Sequence, residues 1–239
     1  MSLPKINAPI YETELPISKK KIKFRPFTVK EQKILLMAIE NDESAFSENN
    51  IRQLITNCCI SDINVEKLPI IDIEFLFIQL RARSVGEIIE TKYRCENETE
   101  EGYCGNIMPV KYDLLEVNVT DPDISDQIQL TPTIGVKMTY PGYSAIESIK
   151  KSKDLSELTL DFIISCMEYI FDKKEVYQIE DYKKEELYEF LESLTIDQFK
   201  KIEEYFTRMP KLQKKLDVKC SKCGFEHKIT VEGLENFFG

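Results

Sequence analysis

Cysteines are the side chains in this sequence whose spacing could bind a metal. Cys220 and Cys223 stand two residues apart, and Gly224 follows directly. This spacing is typical of a tight turn in which backbone amides can face metal-bound thiolates. Such a turn supplies two ligands, whereas a structural zinc ion takes four in a tetrahedron. The remaining two ligands must therefore come from elsewhere in the chain.

A second cysteine pair lies far upstream and can supply the two missing ligands. Cys95 and Cys104 flank a polar stretch, and Gly105 follows the second of them as a glycine follows the C-terminal pair. Eight residues separate these two cysteines, more than the two to four that are usual in zinc sites. The sequence predicts a structural zinc site with four thiolate ligands: Cys95, Cys104, Cys220 and Cys223.

Two other interpretations of the cysteines stay open, namely free thiols and a disulfide. The odd total of seven cysteines disfavours a disulfide framework. His227 is the only histidine, and we expect it at the surface or beside the metal site, not as a ligand. Four thiolates would leave no open position for water or substrate, so the predicted site is structural.

Two predicted hairpins position these cysteines. Leu216 and Val218 alternate with charged residues before the C-terminal pair, and Ile229 and Val231 alternate after it, which favours strands. Residues 87–112 show the same order of strand, polar tip and strand. Two hairpins packed side by side with cysteines at their tips would form a zinc ribbon. A metal shared by them would close a loop of 115 residues between the second and third cysteine.

Helical periodicity dominates the prediction for the rest of the chain. Apolar spacing of three and four residues predicts helices at 28–39, 48–60, 71–83, 155–171, 181–194 and 195–209, and a further helix that begins near Ser144 with Ile149 facing inward. Capping signals are predicted at Thr28 with Glu31 and at Thr195 with Gln198. The predicted fold class is therefore α+β, with a mainly helical body and a two-hairpin zinc ribbon assembled from the middle and the C-terminus. We expect five segments: an extended arm at 1–16, the first part of the helical body at 17–86, the first cysteine hairpin at 87–118, the second part of the body at 119–210, and a zinc knuckle with tail at 211–239.

Composition and charge narrow the classes of partner. The chain has 239 residues, of which 42% are hydrophobic and 31% charged, as in a soluble globular protein. The net charge of −10 disfavours nucleic acid as the main partner, because phosphate binding needs clustered lysine and arginine. No window approaches the roughly 20 apolar residues of a membrane span. Cysteines without a signal peptide indicate a reducing cytoplasm.

Enzyme signatures are missing from the sequence. It contains no dinucleotide fingerprint, phosphate-binding loop, nucleophile elbow or zinc-protease helix motif. A cysteine–histidine nucleophile pair would need His227, which stands four residues after the predicted ligand Cys223. A zinc-bound thiolate is a poor free nucleophile. We therefore expect a protein that is not an enzyme.

Three stretches near the C-terminus resemble a known family. Residues 206–212 (FTRMPKL), 220–227 (CSKCGFEH) and 232–238 (EGLENFF) are similar to the baseplate hub proteins of T-even-like bacteriophages with contractile tails. The order of segments is similar over most of the chain. The resemblance implies phage tail morphogenesis, as a hub subunit or as a chaperone-like hub assembly factor. It implies no catalysis and no cofactor except a metal.

The expected partners are other phage tail and baseplate hub proteins, with the tape-measure protein among the candidates, in a hetero-oligomer. The expected location is the host cytoplasm during assembly, and the virion tail baseplate if the protein is a hub subunit. The terminal Phe237 and Phe238 are expected to dock on a partner or on the protein's own core. The alternative is a zinc-ribbon nucleic-acid or transcription-associated protein, which the acidic tip at residues 96–101 disfavours.

Overall fold

A computed structural model describes residues 6–33, 48–100, 102–120, 125–143, 145–146 and 155–237. The chain forms two compact units. The first comprises Met1–Val65, Ile71–Thr120 and Lys211–Gly239, and the second comprises Glu66–Ile70 and Asp121–Pro210. Within the described part of the chain, no helix has both the length and the apolar character needed to cross a membrane.

Strands and helices are numbered along the chain. The described strands are β1 (Tyr11–Glu14), β2 (Lys21–Phe24), β3 (Ile88–Arg94), β4 (Glu98–Thr99), β5 (Gly102–Tyr103), β6 (Ile107–Asp113), β7 (Asn118–Val119), β8 (Gln127–Gln129), β9 (Gly135–Met138), β10 (Met167–Phe171), β11 (Val176–Gln178), β12 (Leu212–Lys219) and β13 (Glu226–Glu232). The α-helices with established bounds are α1 (Glu48–Cys58), α2 (Ile70–Val85), α3 (Leu155–Ser165), α4 (Lys184–Glu192) and α5 (Ile196–Thr207). Single 3-10 turns form at Val65–Lys67, Leu114–Glu116, Ile179–Asp181 and Leu234–Phe237.

The first unit begins with the antiparallel pair β1–β2. Ile22 and Phe24 face inward while Lys21 and Lys23 are exposed, as strand alternation requires. The buried Asp72 on α2 fastens the turn between these strands, because its carboxylate accepts hydrogen bonds from the amides of Ile17 (2.8 Å) and Ser18 (2.9 Å). A carboxylate at this depth needs such donors, since an unpaired buried charge is costly.

Three antiparallel sheets of the first unit surround the cysteines. β3 pairs with β6, and the short β4 pairs with β5 beyond their tip. The third sheet has the order β13-β12-β7. The C-terminal turn packs back into this unit: Phe237 is fully buried, and its carbonyl accepts a hydrogen bond from the Tyr112 hydroxyl at 2.9 Å.

The second unit is a four-stranded antiparallel sheet, in the order β11-β10-β9-β8, with α3, α4 and α5. Its core contains buried side chains from the sheet and from all three helices, among them Val136, Ile170, Ile163, Leu187 and Ile202. Gly135 stands opposite Phe171 in the register of β9 and β10. A side chain at that position would collide with the Phe171 ring, so only glycine fits.

The predicted fold class is wrong. The protein is 38% helical and 30% strand, with several antiparallel sheets, and its body is not mainly helical. Residues 155–171 show the reason. We predicted one helix there, whereas α3 ends at Ser165 and the chain continues as β10. A continuous apolar run carries little periodicity, so it fits a buried helix and a buried strand equally well.

The described residues do not form the predicted zinc-ribbon module either. β3–β6 is a two-stranded sheet of its own, and the hairpin β12–β13 belongs to a different sheet that includes β7. Among the described residues, no strand pairing joins the two hairpins. Two hairpin patterns do not establish a shared module, because a hairpin pattern fixes only the pairing within each hairpin and not the sheet around it.

Several local predictions are confirmed. The helix predicted at 71–83 is α2, and Glu31 accepts a hydrogen bond from the amide of Thr28 (2.7 Å), as the predicted capping box requires. Thr195 and Gln198 form the capping box of α5. Other predicted helix positions lie outside the described residues: Ile34, Leu35, Ala38, Ile39, Ser144 and Ile149. The five predicted segments stay a prediction.

Candidate metal centre

The first cysteine turn lies between β3 and β6. The amide of Cys95 donates to the carbonyl of Asn106 (2.8 Å), and the amide of Gly105 donates to the carbonyl of Cys95 (3.0 Å). Gly105 has φ of 61°, in the left-handed region that favours glycine. These bonds close the turn so that both of its cysteines lie at one end of the hairpin.

The second turn, between β12 and β13, repeats this pattern. The amide of Cys220 donates to the carbonyl of Phe225 (2.8 Å), and the amide of Gly224 donates to the carbonyl of Cys220 (2.9 Å). Gly224 has φ of 75°. In both turns, therefore, the amide of the glycine after the second cysteine donates to the carbonyl of the first cysteine. The carbonyl of the residue after that glycine accepts a hydrogen bond from the amide of the first cysteine.

A small ribbon forms among the eight residues within the first turn. β4 and β5 pair there, with Glu98 opposite Tyr103 and Thr99 opposite Gly102. The amide of Cys104 donates to the carbonyl of Asn97 at 2.9 Å, at the base of this ribbon. The ribbon thus takes up the additional residues and leaves the turn closed in the same way as the shorter one.

The four cysteine sulfur atoms lie within 4.8 Å of one another. Cys95 Sγ is 3.6 Å from Cys223 Sγ, and Cys104 Sγ is 3.8 Å from Cys220 Sγ. Zinc–sulfur bonds of about 2.3 Å in a tetrahedron give sulfur–sulfur distances of about 3.8 Å. A disulfide would need about 2.05 Å. The spacing therefore fits four thiolates around one ion, and all four cysteines are free.

The surroundings of the cluster combine burial with hydrogen-bond donors. Cys95, Cys104 and Cys220 are buried, Cys223 is half-buried, and Met108 packs against them. Backbone amides of Cys223 and Lys222, together with the Asn106 side chain, lower the pKa of the Cys220 thiol to about 6. Burial raises the pKa of the Cys95 thiol to about 12. Of these two thiols, Cys220 is therefore the better prepared to bind as a thiolate.

Three side chains that contact the cluster were not predicted as ligands. Asn106 Nδ2 donates to Cys220 Sγ at 3.4 Å, and Asn97 Nδ2 donates to Cys223 Sγ at 3.7 Å. His227 Nε2 lies 3.1 Å from Cys95 Sγ. From the sequence we expect His227 at the surface or beside the site, whereas neither asparagine is predicted there. Their positions, each two residues from a cysteine of the first turn, were the available signal.

Of the two terminal phenylalanines, the structure describes one. Phe237 is fully buried within the first unit, so it docks on the protein's own core. Phe238 lies outside the described residues. The predicted contact of this pair with a partner stays a prediction.

Comparisons with known proteins show the family to which this chain belongs. The family model of the T4 bacteriophage base plate protein matches residues 8–239, and the chain belongs to this family. It is 27% identical over 229 residues to the baseplate hub assembly protein gp26 of Enterobacteria phage T4, which covers 95% of this chain and 97% of that protein. No solved structure matches the chain. The predicted family resemblance and the role in a phage baseplate are confirmed, whereas the nucleic-acid alternative receives no support.

Proposed function

We propose that this protein is a non-enzymatic assembly factor of the phage baseplate hub that acts by binding other tail proteins. The observation that carries the proposal is the end-to-end similarity to a baseplate hub assembly protein. Because the match covers 95% of this chain and 97% of that protein, the similarity is not confined to a shared module. The candidate partners are tail and hub proteins of the same phage, including its tape-measure protein, in a hetero-oligomer.

The metal supported by the cysteine cluster is zinc, in a structural role. Thiolate ligands favour zinc or iron among the metals of proteins, and four of them leave no position for water. Asn97, Asn106 and His227 could support the ligands from outside, as such neighbours do at other metal sites. Since the unfolded chain has no preformed site, the free energy of zinc binding would become free energy of folding for the first unit.

The proposed role is tested with a phage from which this gene has been removed. Cells infected with it should accumulate hub proteins outside complete baseplates, and a plasmid copy of the gene should restore assembly. Normal baseplates without the gene would contradict the proposal. Mass spectrometry of purified virions distinguishes two forms of the role: a permanent hub subunit is retained in the baseplate, whereas a transient factor occurs only in intermediates in the host cytoplasm.

The proposed metal is tested by elemental analysis of protein purified under reducing conditions. We expect one zinc per chain, removed by a strong chelator with loss of folded structure in the first unit. Iron in place of zinc would change the identity of the ion but keep the site. A folded protein without any metal would contradict the proposal.

A further inference from the structure

The end of the first unit that carries the cysteine turns also exposes large apolar side chains. Tyr103 is 73% exposed, Ile107 is 56% exposed and Phe225 is 48% exposed. Each of them stands within three residues of a cluster cysteine, and the shared sulfur cluster holds the two turns together. The three side chains therefore lie at the same end of the first unit, and we call this end the hairpin tip.

Strand alternation does not explain why the exposed residues Tyr103 on β5 and Ile107 on β6 are apolar, and Phe225 lies outside the strands, directly before β13. The outward positions of β3 and β6 otherwise carry mostly charge, as in the ion pair between Lys111 and Glu90 (2.5 Å). Ile107 takes an outward position opposite Arg94. None of the three is needed as a ligand. Exposed apolar side chains that cluster on a soluble protein typically mark an interaction surface.

Negative charge accompanies the apolar side chains. Glu96, Glu98 and Glu100 are exposed, and Glu98 stands directly opposite Tyr103 across β4 and β5. In the described parts of the chain, no ion pair neutralises these three carboxylates. Zinc bound by four thiolates would add a net charge of about −2 beneath them.

Of the nearby cations, Arg94 is exposed opposite Ile107 and forms no ion pair among the described residues, whereas two lysines are engaged. Lys219 forms an ion pair with Glu226 (3.7 Å), and the Lys222 ammonium donates to the carbonyl of Cys104 (3.3 Å). The ribbon of β4 and β5 itself contains no lysine or arginine. The hairpin tip thus presents apolar groups beside carboxylates that a partner's cations could meet.

We propose that the hairpin tip, formed by Tyr103, Ile107, Phe225 and the three carboxylates, docks a segment of a partner protein whose apolar side chains are flanked by lysine or arginine. This inference rests on the proposed assembly function and names the surface that performs it. Charge complementarity selects such a segment, and it disfavours a second copy, because a symmetric contact would place two acidic tips together. The metal would hold the surface in one conformation before binding, which lowers the entropic cost of docking.

The test uses the full chain and the other baseplate hub and tail proteins of the same phage, each co-expressed with it and measured as purified pairs. The apolar variant is Tyr103→Ser combined with Phe225→Ser. Its control is Ile88→Ser, which changes a side chain of similar exposure (54%) at the other end of β3. The charge variant is Glu98→Lys, and its control is Glu203→Lys, an exposed position on α5. Metal content and the far-UV circular dichroism spectrum verify that each variant keeps its fold.

We expect both tip variants to weaken at least one pairwise complex about tenfold or more, whereas the controls leave it unchanged. Peptides tiled along that partner should bind where apolar residues adjoin lysine or arginine. A complex that forms equally well with the tip variants overturns this inference and leaves the assembly function standing. A preference for acidic peptides, or a homo-oligomer that the tip variants dissociate, also overturns it. Wild-type protein that binds none of the tail proteins overturns both proposals.

Discussion

The two cysteine turns reach the same closed geometry from different sequences. In each, a glycine of positive φ donates its amide to the first cysteine of the pair, at 3.0 Å from Gly105 and 2.9 Å from Gly224. The shorter turn has two residues between its cysteines and the longer one has eight. The position of the glycine after the second cysteine therefore defines the turn, while the spacing between the cysteines is free to vary if the excess residues pair with themselves.

The turns differ in how they support negative charge. Hydrogen bonds from the backbone amides of Cys223 and Lys222 lower the pKa of the Cys220 thiol. For the Cys95 thiol, the corresponding backbone donor is the amide of Asn97. Cys95 instead has the side chain of His227 beside it. Backbone amides are fixed by the turn itself, so the shorter turn is the more preorganised half of the site.

Loss of a ligand from either turn should have the largest effect. We expect Cys95→Ser and Cys220→Ser to abolish stoichiometric zinc binding equally, because both sulfur atoms belong to one cluster. Structural zinc contributes about 10 kcal/mol or more to the free energy of folding of small zinc domains. The first unit should therefore lose the cooperative unfolding transition that the wild-type protein shows in urea. Zinc content and urea unfolding provide the measurements.

The matched control for these variants is Cys59→Ser, a half-buried cysteine of the same unit that lies outside the cluster. It should keep one zinc per chain. If Cys95→Ser retained zinc while Cys220→Ser lost it, the first turn would not supply ligands, and the equivalence of the two turns would be lost.

Loss of either asparagine donor should have a smaller effect than loss of a ligand, and both asparagines donate from the first turn to sulfur atoms of the second. Asn106→Ala removes a donor 3.4 Å from the Cys220 sulfur, and Asn97→Ala removes one 3.7 Å from the Cys223 sulfur. Loss of such an outer donor typically weakens metal binding 10- to 100-fold, and we expect about tenfold for the closer asparagine and less for the other. Competition with a chromophoric chelator measures both affinities. The opposite ranking would mean that distance does not determine their importance.

Local signals in the sequence were sufficient where one residue type has one strong preference. Glycine after each cysteine pair, the capping box at Thr195 and the helix at α2 were all predictable, because each depends on contacts within a few residues. The assembly of Cys95 with Cys220 was also predictable, since hairpin tips bring cysteines to chain reversals and a metal needs four ligands.

Features that depend on tertiary packing were not predictable. The change from α3 to β10 lies within one apolar run, and only its pairing with β9 and β11 makes Met167–Phe171 a strand. The membership of β7 in the sheet of β12 joins residues that are far apart in the chain. For the same reason the asparagine donors escaped notice: their geometry follows from two turns meeting, not from either turn alone.

Glycine substitutions should test the shared backbone geometry. An added Cβ would contact nothing at Gly224 and only the Tyr103 carbonyl, at 3.9 Å, at Gly105. The cost of Gly105→Ala and Gly224→Ala is therefore conformational, about 1–2 kcal/mol each, and we expect equal losses in urea unfolding of the zinc-loaded protein. Asparagine at either position should cost less, because it tolerates positive φ. A marked inequality between the two alanine variants would show that the turns share hydrogen bonds but not strain.

Replacement of residues 96–103 by the Ser-Lys spacer of the shorter turn should have the smallest effect on the metal. The hydrogen bonds that close both turns lie outside the replaced stretch, so zinc should remain at one per chain. Shortening the loop by two halvings of its length should raise the free energy of unfolding by about 1 kcal/mol. Loss of the Asn97 donor opposes this gain, so the net change in the free energy of unfolding should stay within about 1 kcal/mol. Loss of zinc would instead mean that the small ribbon of β4 and β5 positions Cys104. Because the replacement also removes Tyr103 and the three carboxylates, it should weaken partner binding while metal and fold persist, which separates the two tasks of this end of the protein.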